Sequence, residues 1–560
     1  MSPMIRIVRL ALLGAGVALA VACSGSRVSS TSTQPAASAA YRVEILVSGG
    51  PLHGAKGASF GPDGLLYVCS GQAQSIYSVN VVTGDVTTAV PAPDGECDDL
   101  AFAPDGTLAW TVLTGGEIRA RRPAGDVFRL AAGLPLVNPL GFTADGRLYA
   151  AQIGIDRFLE IDVTGTKPPR LIAKGIGHLN SFEITADGQL YGPLAGVGTV
   201  ARIDIVSGSV VPIAANLGMP SAVNLDSRGQ IYAVGWSSGE LWKIDPASGA
   251  VRVVSVLAPP LDNLAIGRDD AVYVSQPARS AIVRVDTATG RQSDVVPGNL
   301  SVPGGLALTT EQGRETLVVA DDFGFRMVDT ATGKISALAD LADFMDPAAA
   351  TDVAVNEQVV VLSDVRRARV YMVDRRTAKT LHKWQGIRAP YGLVLLDSGD
   401  PVVADFSAGQ LVRLSRTDVK SRDIVAAGLS GPVGLLAAGP NALYVTEALA
   451  GRLVRVDLAT GSSVTIREGL SQPEGLTRLP DQRLAIVEVG AQRVIAVDPR
   501  TGATEVLASG LPLGQVLPGT PAPVHVSSGI VAGENGVLYL ASDRDHSVLR
   551  LVPAGVRTER

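Results

Sequence analysis

Residues 262–290 read DNLAIGRDDAVYVSQPARSAIVRVDTATG. An apolar segment from Leu264 to Ile266 ends in the turn pair Asp269-Asp270, and a β-rich segment around Val272 to Val274 follows. A third segment closes on Val285-Asp286 and the turn Thr289-Gly290. Such pairs supply the positive φ that a tight hairpin needs, so the stretch reads as consecutive short antiparallel strands. The same unit recurs outward in both directions. Asp63-Gly64, Asp105-Gly106, Asp145-Gly146 and Asp187-Gly188 mark the first turn, and it decays through Arg228-Gly229, Gln312-Gly313 and Ser398-Gly399 to Asn535-Gly536. Thr83-Gly84, Ser207-Gly208, Ser248-Gly249, Thr332-Gly333, Thr460-Gly461 and Thr501-Gly502 repeat the second. Twelve such units fill the chain from Tyr41 onward, at a period of roughly 40 to 44 residues, which is the mark of four-stranded β-propeller blades.

Propellers close with about four to eight blades, so twelve units divide most simply into two six-bladed rings. The fold class is therefore all-β, two tandem six-bladed propellers. Arg42 to Val47 reads as a lone fourth strand ahead of the first complete unit, and the last unit stops after its third strand near Leu551. We expect Arg42 to Val47 to complete the blade containing Asp262 to Asp286, which frees Arg291 to Pro297 for the final blade. The boundary then falls near Gly290, with propeller 1 over 41–290 and propeller 2 over 291–560.

Residues 1–22 lie outside this pattern. Arg6 and Arg9 precede the apolar run Leu10 to Val21, too short for an ordinary membrane-spanning helix and typical of an export signal. Leu19-Ala20-Val21-Ala22-Cys23-Ser24 resembles a bacterial lipoprotein cleavage site, which makes Cys23 the expected lipidation site. Residues 23–40 are rich in Ser, Thr, Ala and Pro, as a flexible tether would be. The expected location is the cell envelope: a monomer held in a bacterial membrane through its N-terminal lipid only, facing periplasm or exterior. Loss of two arginines with the signal takes the formal charge from −6 to −8. With no basic cluster, nucleic-acid binding is excluded. Cys69 and Cys97 approach the same ring face, and in an oxidising exterior they form either a disulfide or two unpaired buried thiols.

The alternation of Asn-x-Phe-x-Ile or Asp-Asn-Leu-x-Ile with Asp-Gly-x-Leu-Tyr hairpins resembles the gluconolactonase and senescence-marker lactonase family of six-bladed propellers. In the second half, Pro390-Tyr391-Gly392-Leu393, Pro432-Val433-Gly434-Leu435 and Pro473-Glu474-Gly475-Leu476 resemble NHL repeats. The lactonase resemblance implies a divalent cation on the axis, held by a Glu of the first blade, Asn residues of the third and fourth, and an Asp of the fifth. The matching positions here are Lys56, Asn138, Asn180 and Ser221, so both carboxylates are missing. Asp98 and Asp262 flank them, with Asp99 and Asn263 alongside. The altered set Asp98, Asn138, Asn180 and Asp262 offers oxygens suited to Ca²⁺ or Mg²⁺. Its competitor is a polar channel in which Lys56 pairs with Asp98 or Asp262.

His53 and His178 precede first strands in blades three apart, and we expect them to face each other across the first ring's mouth, where either is conceivable as a general base. In the second ring an acidic residue ends each second strand: Asp321, Asp364, Asp405, Glu447, Glu488 and Asp543. These carboxylates either bind cations or a basic partner, or cap the following turns with Arg326, Arg369, Arg413, Arg455 and Arg493 as neutralising neighbours. The Pro- and Gly-rich stretch Leu513 to His525 lengthens the last unit, and a loop over the second ring's entrance is expected. The expected function is binding of a small molecule, glycan or protein at the ring faces, and the alternative is a cation-dependent lactone hydrolase in the first ring.

Overall fold

The computed structural model describes residues 40–322, 324–340, 349–515 and 527–555. Within them the chain forms twelve four-stranded antiparallel sheets. In the first ring, the opening strand Ala55–Phe60 of blade 1 lies against Leu264–Ile266 and Val272–Gln276 of blade 6. In the second, Leu306–Glu311 of blade 7 lies against Ile530–Ala532 and Leu538–Ala541 of blade 12. The protein is thus a pair of six-bladed propellers.

Closure differs from the expectation. The strand Tyr41–Val47 pairs antiparallel with Val548–Pro553, Val43 opposite Leu551 and Ile45 opposite Leu549. Gln292–Val296 pairs with Ala281–Val285 in the same sheet as Leu264–Ile266. The blade containing Asp262 to Asp286 is therefore completed by its own next strand, and the boundary near Gly290 is corrected. The first ring is contiguous over 55–296; the second comprises 306–553 together with 41–47. The reason is local. The Asp286 to Gly290 turn joins Ala281–Val285 to Gln292–Val296 through a short loop, and pairing partners so close in sequence costs little closure entropy. Val548–Pro553, the third strand of the last blade, is then free to take the N-terminal strand as its fourth.

The turn that recurs along the chain explains how neighbouring blades lock. Asp286 accepts from the backbone of Ala288 at 3.1 Å, from the backbone of Thr289 at 2.8 Å and from the Thr289 hydroxyl at 2.8 Å. Asp245, Asp329 and Asp457 do the same in their blades. Gly290 then takes φ +74°, and a side-chain carbon there would lie 2.4 Å from Val254 O of the preceding blade. Only glycine meets both demands. The same contact marks both closures: Gly84 of blade 1 meets Val295 of blade 6, and Gly333 of blade 7 meets Leu46 of the N-terminal strand.

Apolar cores lie between adjacent blades. Leu52, Ala55, Val68, Ala265, Ile282 and Val296 seal the first ring, and Val47, Leu300, Leu317, Tyr539, Ala541 and Val548 seal the second. Cys69 and Cys97 form a disulfide, with Cα atoms 5.1 Å apart, tying blade 1 to the loop before blade 2.

Because Tyr41–Val47 belongs to the second ring, the first ring is an insertion in it. The two connecting segments run together, and the Asn299 amide donates to Ser48 O at 2.9 Å. Gln72 of blade 1 donates to Asp322 of blade 7, and Gln515 donates to Gln72 O at 3.2 Å. Most of the Leu513 to His525 stretch lies outside the described residues, as do Cys23 and the segment 1–39.

Candidate axial site of the first ring

The first strand of each blade runs beside the ring axis, and with a side-chain period of two, alternate positions point inward. The residues at the start of these strands, or just before it, in the first ring are Lys56, Asp98, Asn138, Asn180, Ser221 and Asp262. The structure brings most of them together. The Lys56 ammonium pairs with Asp98 Oδ1, and Asn138 Nδ2 donates to Asn180 Oδ1 at 3.4 Å. Ser221 turns away, its hydroxyl donating to Leu261 O at 2.7 Å. Burial works against the charge of Lys56, but the Asp98 and Asp262 carboxylates outweigh it and hold its pKa above the ordinary lysine value. Burial pushes Asp262 up to about 8, with Asp98 adding to the shift and Lys56 opposing it.

One residue further along the strands, three alternate blades meet across the axis. Asp99 accepts from the Ser181 hydroxyl at 2.7 Å and from Asn263 Nδ2 at 3.0 Å, and Asn263 also reaches Ser181 Oγ at 2.8 Å. Burial carries Asp99 up to about 7, against these hydrogen bonds. Two residues below Ser181, Glu183 accepts from the Leu225 backbone. Burial pushes it up to about 7 as well. A cavity of about 280 Å³ runs from the Asp99 belt toward the far ends of the first strands, its lining mostly polar, with Ser59, Asp99, Ser181, Glu183, Asn224 and Asn263 among its walls. No lysine or arginine lines it. Glu183, Ser181 and Asn224 are missed by a reading of strand openings alone. Their signal is a period-two one: Glu183 is the one charged side chain at a position held by Ser59, Ala101, Gly141, Asn224 and Ala265 in the other blades.

A divalent cation at the position implied by the lactonase resemblance would have to share Asp98 with the Lys56 ammonium and would find no hydroxyl at Ser221. This donor set does not fit such an ion. Among the described residues no group of three or more His, Cys, Asp or Glu is arranged to hold a metal.

The two histidines each have partners elsewhere. His53 stacks on His546 of the second ring, centroids 3.8 Å apart. Burial there drives its imidazole down to about 4, against the pull of Asp545. His178 is held separately, its Nδ1 2.7 Å from Ile153 O and its backbone N–H on Asp156. A single-ring geometry has no place for the first contact, because the junction between rings creates it.

The second ring is built differently on its axis. The positions equivalent to Gly57, Asp99, Pro139, Ser181, Ala222 and Asn263 are Gly305, Asp352, Gly392, Gly434, Gly475 and Gly529. A side-chain carbon on Gly392 would fall 1.7 Å from Val433 O, and one on Gly434 would fall 2.4 Å from Glu474 O. The Pro-x-Gly-Leu motif thus lets neighbouring first strands approach closely, and the cavity at the corresponding level, among the described residues, is about 70 Å³. Asp352 lies beside it, accepting from Leu393 N at 2.8 Å and Val353 N at 2.9 Å.

All six acidic strand ends of that ring accept backbone N–H groups from adjoining loops. Asp321 takes Ser301 and Val302, Asp364 takes Ala349 and Arg367, and Asp405 takes Arg388 and Ala389. Glu447 takes Ser430, Glu488 takes Ser471, and Asp543 takes Gly514 and Gln515. Arg326 lies 3.5 Å from Asp321 and Arg493 pairs with Glu488. Glu447 pairs with Arg452, where Arg455 was expected, and Arg413 pairs with Asp423 at 2.7 Å, away from Asp405.

No family model matches the chain, and no curated protein matches it. Solved structures similar to it include the virginiamycin B lyase of Staphylococcus aureus, with 16% identity, 53% of this chain and 98% of the other covered, and a TM-score of 0.37. A nidogen/laminin complex is similar at 15% identity over 41% of this chain and 91% of the other, TM-score 0.38. The extracellular domain of a candidate one-component system from B. thetaiotaomicron is similar at 10% identity over 92% of this chain and 84% of the other, TM-score 0.32.

Proposed function

We propose that this protein is a lipid-anchored, extracytoplasmic binding protein whose first ring takes a polar small molecule on its axis, with the second ring as the scaffold that holds it. The observation that carries this reading is the contrast between the two axes. The first holds a polar cavity of about 280 Å³ with ionisable side chains on its wall; at the corresponding level of the second, among the described residues, glycines leave about 70 Å³. A concave site with a few convergent polar groups is where a small ligand gains orientation and desolvation together. Asn263 belongs to this site and Asp352 to the other, so they separate the rings experimentally. A ligand that binds only the folded state raises the melting temperature by mass action. In a thermal-shift panel of neutral sugars, sugar acids, amino acids and amines, a stabilising ligand should lose its effect in Asn263→Leu and keep it in Asp352→Asn. The opposite pattern overturns the reading. For the anchor, wild type should partition into the membrane fraction and Cys23→Ser should not; equal partitioning refutes lipidation.

A further inference from the structure

Asp99 and Glu183 present a chemical problem that the fold leaves open. Asp99 is buried and Glu183 half-buried, both carry hydrogen bonds only from neutral donors, and no cationic side chain lines their cavity. A buried carboxylate is costly in its charged form unless a positive charge pairs with it. Lys56 is paired with Asp98, one residue before the belt, and does not line the cavity.

Geometry narrows the missing partner. Asp99 lies level with Ser181, to which it is hydrogen-bonded, and Glu183 follows two residues later on the same strand, about 7 Å further along the axis. The two side chains thus enter one cavity from different blades and different levels of the axis. Two ammonium groups joined by a four-carbon chain, their nitrogens about 6 Å apart when extended, match that offset in level. Ser59, Asn224 and Asn263 add oxygens to accept the remaining N–H donors, and Leu100, Leu140 and Phe182 line the cavity beside them.

We propose that the cavity below the Asp99 belt is a binding site for a small aliphatic diamine, Asp99 and Glu183 each pairing with one ammonium. This rests on the reading that the first ring's axis is the ligand site. Binding requires both carboxylates ionised, so affinity rises with pH through neutrality.

Isothermal titration of the full chain with 1,4-diaminobutane in amine-free buffer at pH 8 tests this, with 1,4-butanediol as the uncharged control. The diamine should bind one to one and the diol should not. Affinity should fall at least about tenfold in Asp99→Asn, in Glu183→Gln, and on lowering the pH to 5.5, while Asp352→Asn leaves it unchanged. No heat with the diamine, or equal binding of the diol, overturns the diamine site. If a neutral or anionic compound is nevertheless bound in an Asn263-dependent way, the first ring remains the ligand ring and only the diamine assignment falls. If the diamine binds but neither Asp99→Asn nor Glu183→Gln weakens it, the site is wrong. Loss of binding in Asp352→Asn alone removes the first-ring reading as well.

Discussion

Replacing Glu183 by Gln should make the protein more stable at pH 8 and leave it nearly unchanged at pH 4. Burial raises the folded-state pKa of Glu183 from 4.5 to about 7. A group raised in this way adds stability that is fully present below 4.5 and is lost as the pH climbs through 7, because across that window the folded state holds a proton that the unfolded chain has released. Each pH unit between the two values is worth about 1.4 kcal/mol, so ionising this side chain in the folded protein costs about 3 kcal/mol at pH 8. Glutamine keeps the shape and the acceptor for the Leu225 amide and does not titrate. Asp99 and Asp262 titrate in both proteins and cancel in the comparison. Urea unfolding followed by tryptophan fluorescence suits the question, since Trp110, Trp236 and Trp242 lie in the first ring and only Trp384 in the second. The stability difference between Glu183→Gln and wild type should move by about 3 kcal/mol in favour of the variant between pH 4 and pH 8, in amine-free buffer. A difference independent of pH, or a variant less stable than wild type at pH 8, refutes the placement of Glu183 as a half-buried carboxylate without a counter-charge.

Reducing the Cys69–Cys97 disulfide, which closes a loop with a sequence separation of 28, should cost about 3.5 kcal/mol by the chain-entropy relation; calorimetry with and without reductant on wild type and Cys69→Ser checks it, and an unchanged transition refutes it. Millimolar Ca²⁺ or Mg²⁺ should leave the melting temperature of wild type unmoved, because Lys56 holds Asp98; a metal-dependent rise abolished by Asn180→Ala would restore the cation site. Deleting 41–47 should open the second ring and lower its transition while leaving that of the first in place, as two-step calorimetric scans would show; loss of the first-ring transition instead would contradict the strand pairing.

What could be read from residues alone follows the range of the interactions. The Asp-x-x-Thr-Gly turn closes on itself within five residues, so Asp286 and Gly290 announce it, and the unit count and architecture follow. Closure is non-local. Arg42 to Val47 and Gln292 to Val296 are both plausible outer strands, and nothing in either states its partner; the deciding feature is the short turn at Asp286, which makes local pairing the cheaper solution. On the axis, Lys56, Asp98, Asn138, Asn180 and Asp262 were legible because the repeat aligns their strands. Glu183 required following the period-two pattern further down the strand. The stacking of His53 on His546 was not legible, because it arises only where one ring meets the other.

The excised first ring, residues 50–298, tests the account most directly. It contains every strand of one closed sheet circle, so it should unfold in one cooperative transition as a monomer and bind 1,4-diaminobutane as the full chain does. The fragment 41–290 carries an unpartnered first strand and lacks Gln292–Val296, and it should be less stable and prone to aggregate. A molten or insoluble 50–298, beside a well-folded 41–290, would contradict both the inserted ring and the axial site built on it.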